Sequence, residues 1–474
     1  MRKIHRRTIS FALPVCIVLA SCSAQPEIAS VLAPVEPQAF TTPASFAANS
    51  AKTVPNSSPT ARDASASSLE ATVNRALAWH PSIDEAVGRL NQRTSEIDVA
   101  RSGYRPKVSG GVRSFYDGDE KRVTPQLNVS ASQMLFDFGK VRNSVEVAVA
   151  GVDVRHAQLL SAVDTVIRDT AHAYIETQRN IALLQAAEAQ AAGVGAIADL
   201  VRQRSDRGAS TRSDEVQAEA REQAAKTRVI EITTQLNRWQ NTLASLTGRD
   251  GIAVTNTVPQ WLLNACVTTE PNWAQVPAAL RAEAELKEAE AQLQLSRAQI
   301  YPTLSVQADA GYELDGSRRG TGSSSDRLDY TVGLNVSGNL YDGGATSARR
   351  EAASYAVKAA EAARETARLQ ALQSLTGSRT LTANMNQLLT SLSSRRGMME
   401  ETRNLYRRQY VELGTRTLLD LLNAEQELHQ AQFDMVNTTH DLRLLNVDCL
   451  FDAGMTRTAF SLDGALVRGV ALNP

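Results

Sequence analysis

Two short turns, RGASTRSD at 207–214 and LGTRTLLD at 413–420, carry most of the side-chain chemistry this sequence offers. Each sets a Thr three residues ahead of an Asp: Thr211 with Asp214, and Thr417 with Asp420. A hydroxyl and an acid at that spacing form a capping box, each side chain accepting from the other residue's backbone N–H. A carboxylate in a first helical turn is also favoured by the helix dipole. Gly208 and Gly414 precede the two boxes and mark the turns themselves. Little else is reactive. The glycine-rich stretch at 316–325 lacks the Lys of a phosphate-binding loop and precedes a strand rather than a helix. There is no HExxH and no paired CxxC, and the six His are scattered. Trp79-His80-Pro81 reads as a helix boundary. No catalytic residue, metal site or cofactor is expected, and a net charge of −1 over 474 residues lacks the basic face of a nucleic-acid partner.

The first residues read as an export signal. Arg2, Lys3, Arg6 and Arg7 are followed by an apolar run from Thr8 to Ala20 that is too short for a permanent span. The run ends in Leu19-Ala20-Ser21-Cys22, which resembles a lipobox. Cleavage after residue 21 would leave Cys22 to carry lipid, and Ser23 in place of Asp implies outer-membrane sorting. Residues 22–66 are rich in Ala, Ser, Pro and Thr and bury too little to fold, so they form a tether. Cys266 and Cys449 are then left in an oxidising compartment. They are either bridged or two separately buried thiols, because bridging needs Cα atoms within about 7 Å.

The acid turns belong to a larger duplication. Pro81 and Pro277, Leu90 and Leu286, Arg101 and Arg297, and Pro106 and Pro302 are each 196 positions apart. Asp137 and Asp342, like Gly139 and Gly344, are 205 apart, and the two turns are 206 apart. The slip falls on a segment containing 316–325, a loop insertion bearing Arg318 and Arg319. Register kept on both sides of one gap is an internal repeat. The repeats span 67–265 and 266–454, with a C-terminal tail at 455–474.

Each repeat changes period midway. Leu304, Val306, Ala308, Ala310 and Tyr312 alternate with polar residues, as do Tyr330, Val332, Leu334 and Val336. Val108 to Tyr116 and Leu127 to Ala131 do the same in the first repeat. Period two predicts a hairpin of strands in each. After LFDFG and LYDGG the period becomes helical. No proline lies between Pro125 and Pro259, or between Pro302 and Pro474. The pattern predicts helices over 140–207 and 345–412, each about 65 residues and near 100 Å long. Shorter helices return over 212–246 and 418–450, and others precede the hairpins at 82–103 and 278–300. Aromatics are only 5% of the chain, which suits Ala/Leu/Val seams between long helices.

A hairpin with one apolar face and no core of its own suits a barrel wall, lipid outside and water inside. A barrel must close, and four strands are about half the smallest common number. Closure requires several copies, and three would supply twelve strands. The fold class is therefore mainly α with a transmembrane β part: a long helical coiled-coil barrel continued by four strands per chain.

From about Ser68 to Gly454 the chain resembles the TolC-type outer-membrane efflux family. The marks are the duplicated helix–hairpin–helix order, Tyr104–Pro106 and Tyr301-Pro302, the LFDFG and LYDGG exits, and LGTRTLLDLLNAE. The resemblance implies a homotrimeric duct without catalytic activity in the outer membrane of a Gram-negative bacterium, its helical tunnel in the periplasm. It implies work with a periplasmic adaptor and an inner-membrane pump or ABC transporter, in efflux or type I secretion. By the same resemblance, Gly208, Thr211, Gly414 and Thr417 lie at adaptor-docking tips, and Asp214 and Arg416 hold the inner end shut. Asp420 forms one acidic ring, and three carboxylates on an axis attract cations and filter what passes. A second ring falls on Asn423, and a closing Tyr falls on Val411 with Tyr410 one place away; both depart from the family pattern. Two rival classes are a periplasmic adaptor, which has one helical hairpin between small β domains, and a structural coiled-coil lipoprotein, which needs no alternating strands.

Overall fold

The structure is a computed structural model that describes residues 67–117, 122–267, 270–314 and 328–473. The export signal, Cys22, the tether and the loop arginines Arg318, Arg319 and Arg327 lie outside the described residues.

The chain opens with α1 (Leu69–Trp79) and α2 (Pro81–Arg101). Ser68 caps α1, and His80 sits between the helices, its Nδ1 accepting from Ser82 N and so capping α2. Strands β1 (Lys107–Asp117) and β2 (Arg122–Phe136) lead to α3 (Lys140–Asp206), from which α4 (Arg212–Thr247) returns. The short α5 (Gln260–Leu263) links to the second round: α6 (Pro277–Ala298), β3 (Thr303–Glu313), β4 (Leu328–Ser337), α7 (Ala345–Arg408) and α8 (Leu418–Asp452). The chain finishes with α9 (Thr456–Ala459) and the small hairpin β5 (Leu466–Val467) and β6 (Val470–Ala471). α4 packs along α3 and α8 along α7, while α6 lies against both α3 and α7. At 1.5 Å per residue, the 67 residues of α3 extend about 100 Å. Among the described residues, α3 is the one helix long and apolar enough to cross a membrane by length and composition. α3 also packs against α2, α4, α6 and α8.

The doubled aromatic–Asp–x–Gly stop has a local cause. Asp137 accepts from Gly139 N at 2.9 Å and from Val141 N at 2.6 Å. Asp342 accepts from the backbone N of Thr346 at 2.9 Å and from its hydroxyl. The acids thus satisfy N–H groups that a helix start leaves without partners. Gly139 and Gly344 stand at φ 86° and 87°, a conformation only glycine adopts at little cost, and it turns the strand into the helix. Gly193, Gly195, Gly377 and Gly397 do not interrupt α3 or α7.

The four long strands form one antiparallel sheet in the order β1-β2-β3-β4. Its register puts Val112, Leu127, Tyr312 and Leu328 in one row, and Val108, Ala131, Ala308 and Val332 in another. All apolar side chains of these rows share a face. Tyr330, Val332 and Leu334 are 76%, 71% and 72% exposed, so that face is uncovered by its own chain. β1 and β4 each pair on one side only. A bulge between Met134 and Phe136 then brings Phe136 opposite Leu304, on the apolar face.

The main apolar core lies partway along the helices. There Leu159, Val163, Ile167 and Tyr174 of α3 meet Val73 and Leu77 of α1, Leu450, Phe460 and Leu472. The residues after 454 therefore fold back as part of the body. Cys266 and Cys449 are joined, with Cα atoms 5.2 Å apart, which ties the connection between the repeats to α8. Digestion of the mature protein without reductant is expected to yield one linked peptide pair. Two titratable thiols in the denatured, unreduced chain would refute the bridge.

Candidate functional site

The helical hairpins end in two tips. In the first, α3 stops at Asp206, Gly208 turns the chain at φ 74°, and Thr211 begins α4. Thr211 N donates to Asp214 Oδ2 and Asp214 N to Thr211 Oγ1, both at 3.1 Å. A clasp joins the two helices behind this turn. Glu215 of α4 meets Arg212 at 2.9 Å and accepts from Ser205 of α3 at 3.2 Å. Arg212, with Ser205 in a lesser role, holds the Glu215 carboxyl below its usual range.

The second tip is built differently. α7 runs into a π turn at Gln409–Leu413, and Gly414 follows at φ 64°. Thr417 and Asp420 repeat the capping box, with Asp420 N donating to Thr417 Oγ1 at 3.2 Å. Arg416 is held within its own tip. Its guanidinium lies 4.4 Å from the centre of the Tyr406 ring, donates to Gln409 at 3.1 Å, and approaches Asp420 at 3.8 Å. The structure therefore brings Arg416 to Asp420 and leaves Asp214 in its own cap. Asn423 is exposed.

Tyr410, rather than Val411, is the aromatic that ties the tips together. It is buried among Val201, Ala218 and Leu421. The Arg204 guanidinium stacks 4.9 Å from its ring centre, and Ser210 meets its hydroxyl at 3.4 Å. Val411 is exposed. An i→i+5 turn takes one residue more than an α turn, so a count back from Gly414 at α-helical spacing stops one residue short of Tyr410.

A buried charged cluster stands just behind the second tip. Glu425 is 2% exposed, with His429 Nε2 at 3.1 Å and Arg403 of α7 at 3.6 Å. Gly193 of α3 makes room for it: a Cβ there would sit 2.3 Å from Glu425 Oε1. The cluster joins three helices. The signal available in the sequence was the Glu–His pair at i,i+4, which is common on solvated helix faces and needs its tertiary neighbours to stand out. Among the described residues no group of three or more His, Cys, Asp or Glu is placed to hold a metal ion.

The described chain thus combines two helical tips, long paired helices and a sheet with one exposed apolar face. The sequence profile of the family described as outer membrane efflux protein matches residues 72–249 and 274–444. The chain belongs to that family. The two matched stretches coincide with the two rounds of helix, hairpin and helix pair. Nodulation protein T of Rhizobium leguminosarum bv. viciae is 26% identical over 378 residues, 76% of each chain. Outer membrane efflux protein BepC of Brucella suis is 25% identical over 368 residues, 73% of this chain and 76% of that protein. The crystal structure of the outer membrane protein VceC from Vibrio cholerae shares the fold, with a TM-score of 0.70 at 19% identity over 81% of this chain and 96% of that one.

Proposed function

We propose that three copies of this chain close their sheets into one twelve-stranded barrel and serve as the outer-membrane exit duct of a tripartite efflux pump. The observation that carries this reading is the four-stranded sheet, whose apolar face is exposed and whose outer strands each lack a second partner. In water such a sheet is a liability, and in lipid it is stable only when closed. A periplasmic adaptor would meet the tips, and an inner-membrane pump or ABC transporter would decide whether the cargo is a small molecule or a secreted protein. Lipid on Cys22 would add an anchor. Family membership favours this duct over a periplasmic adaptor or a structural coiled-coil lipoprotein, and the sheet is what neither rival requires. Trimer-sized, heat-modifiable migration from an outer-membrane fraction, with conductance in planar bilayers, is the expected result. A soluble monomer without conductance would refute the duct.

The tips would close the periplasmic end, Asp214, Arg416 and Asp420 lining the mouth and Asn423 leaving one acidic ring where two were possible. Asp420 has two roles that substitution separates. At this third helical position Asn keeps an oxygen that can accept from Thr417 N–H, while Ala removes that half of the capping box. If the carboxylate charge filters ions, Asp420→Asn and Asp420→Ala should both weaken cation block and change single-channel conductance. Wild-type behaviour in Asp420→Asn would reduce the residue to a cap.

A further inference from the structure

The junction of sheet and helices holds a groove that the duct itself does not require. Phe136, on the apolar face opposite Leu304, contacts Phe138 edge-on at 4.7 Å, and Phe138 stacks on Tyr301 at 5.1 Å. This aromatic chain leads from the apolar face of the sheet down to the first turns of the helices. There Phe138, Asn143, Arg297, Ile300, Tyr301 and Arg350 line a groove of about 470 Å³. Its walls come from α3, α6 and α7 of one chain, and it adjoins β3 rather than the unpaired edges β1 and β4. Three of its wall residues, Phe138, Ile300 and Tyr301, are about half exposed.

Arg297 and Arg350 form no ion pair or hydrogen bond among the described residues. The duplication supplies an internal comparison. In the first repeat Arg101 pairs with Asp98 at 3.5 Å. In the second repeat the position matching Asp98 is Gln294, and the position matching Arg350 is Val145. The second repeat has thus lost the acid and gained a cation at the same level. Glu351, next to Arg350 on α7, forms no ion pair with either arginine among the described residues, and Asp342, just ahead of the helix, is committed to Thr346. Two guanidiniums beside an aromatic girdle at a membrane boundary suit an anion with an apolar tail.

We propose that this groove seats the headgroup phosphate of an anionic phospholipid of the periplasmic leaflet, with Arg297 and Arg350 as its cations and the aromatic chain against the glycerol and upper acyl region. The assignment rests on the proposal that the apolar sheet face meets lipid. A lipid held here would fix the depth of the barrel at the level where strands give way to helices.

The test titrates the purified full-length protein in non-ionic detergent with phosphatidylglycerol and counts bound lipid by native mass spectrometry. Each arginine near an anionic lipid contributes about a fivefold factor, so the Arg297→Gln/Arg350→Gln double variant should bind roughly 30-fold more weakly. The Arg297→Lys/Arg350→Lys pair keeps the charge and should stay within a few-fold of wild type. Arg101→Gln, the equivalent change in the first repeat, should leave binding as it is. Unaltered phosphatidylglycerol binding by the double glutamine variant would overturn the proposal. So would inorganic phosphate occupying the site as well as the lipid does. The same preparations placed in planar bilayers separate the two readings: a conducting channel indifferent to the arginine pair sinks only the lipid site, whereas wild-type protein that never inserts sinks the duct with it.

Discussion

Val332→Arg should remove most of the protein from the outer membrane, while Thr331→Arg on the adjacent position should leave it there. The two residues are neighbours in the middle of β4 and point to opposite faces of the sheet, Val332 across from Ala308 and Thr331 across from Asp309. If the apolar face meets acyl chains, an arginine there costs about 2–4 kcal/mol at mid-depth, and a closed trimer carries it three times. On the lumen face the same side chain reaches water and the Asp309 carboxylate. Heat-resistant trimer in the membrane fraction should fall below about a tenth for Val332→Arg, which a loss of even 2 kcal/mol suffices to produce, and stay near wild type for Thr331→Arg. Val332→Phe adds a second discrimination. A protein interior resists added volume at about 1–3 kcal/mol, but lipid has no fixed shape to resist it. Val332→Phe should therefore assemble normally. If it fails while Thr331→Arg succeeds, the face packs against protein, and the membrane assignment is lost.

Much of this architecture was legible because its signals are local. Period two in β3 and β4, the long proline-free runs of α3 and α7, and the doubled Asp137/Gly139 and Asp342/Gly344 stops each depend on a few consecutive residues. The capping boxes at Thr211 and Thr417 are local as well, and the structure contains both. What was not legible depends on residues far apart in sequence. Whether Cys266 reaches Cys449 is a question of where α8 passes the inter-repeat connection, 183 residues on. Glu425 looks like any helix-surface acid until Gly193 and Arg403 enclose it. That Tyr410 is buried against the first tip while Val411 is exposed depends on a π turn, which leaves no compositional trace. The residues after 454 read as a tail because they lie beyond the end of the second repeat, although half of them are apolar. Their anchorage comes from Phe460, Leu462 and Leu472, and from one arginine that a sequence reading would place in solvent.

That arginine underlies the second large effect. Arg457 is 1% exposed and lies 3.3 Å from Asp164, itself buried on α3, while its Nη2 donates to the carbonyl of Gln275 at 2.8 Å. It thus joins the C-terminal segment to α3 and to the start of the second repeat. Burial pushes the Asp164 carboxyl up to about 7 against the pull of Arg457. Because this lies above the unfolded value near 4, the folded chain holds an extra proton between about pH 4 and pH 7. The stabilisation from that proton is whole below pH 4 and is lost as the pH rises through about 7, a change on the order of 4 kcal/mol. Asp452, raised to about 6 mainly by burial, acts in the same direction. His440, lowered to about 4 mainly by burial, acts the other way: its contribution is present above about 6.5 and is lost as the pH falls through 4. Asp164→Asn cannot titrate, so the difference between its stability profile and that of wild type isolates the Asp164 slope. Arg457→Gln should cost about 3–5 kcal/mol at pH 8, where it leaves a buried carboxylate alone or forces it to keep its proton. At pH 5 Asp164 is already neutral, and only a hydrogen bond and packing are lost, about 1–2 kcal/mol. The melting temperature of Arg457→Gln should accordingly fall further below wild type at pH 8 than at pH 5, with hydrogen exchange quickened after residue 454. An equal deficit at both pH values would mean that Arg457 works there by shape and hydrogen bonding rather than as the counter-charge to Asp164.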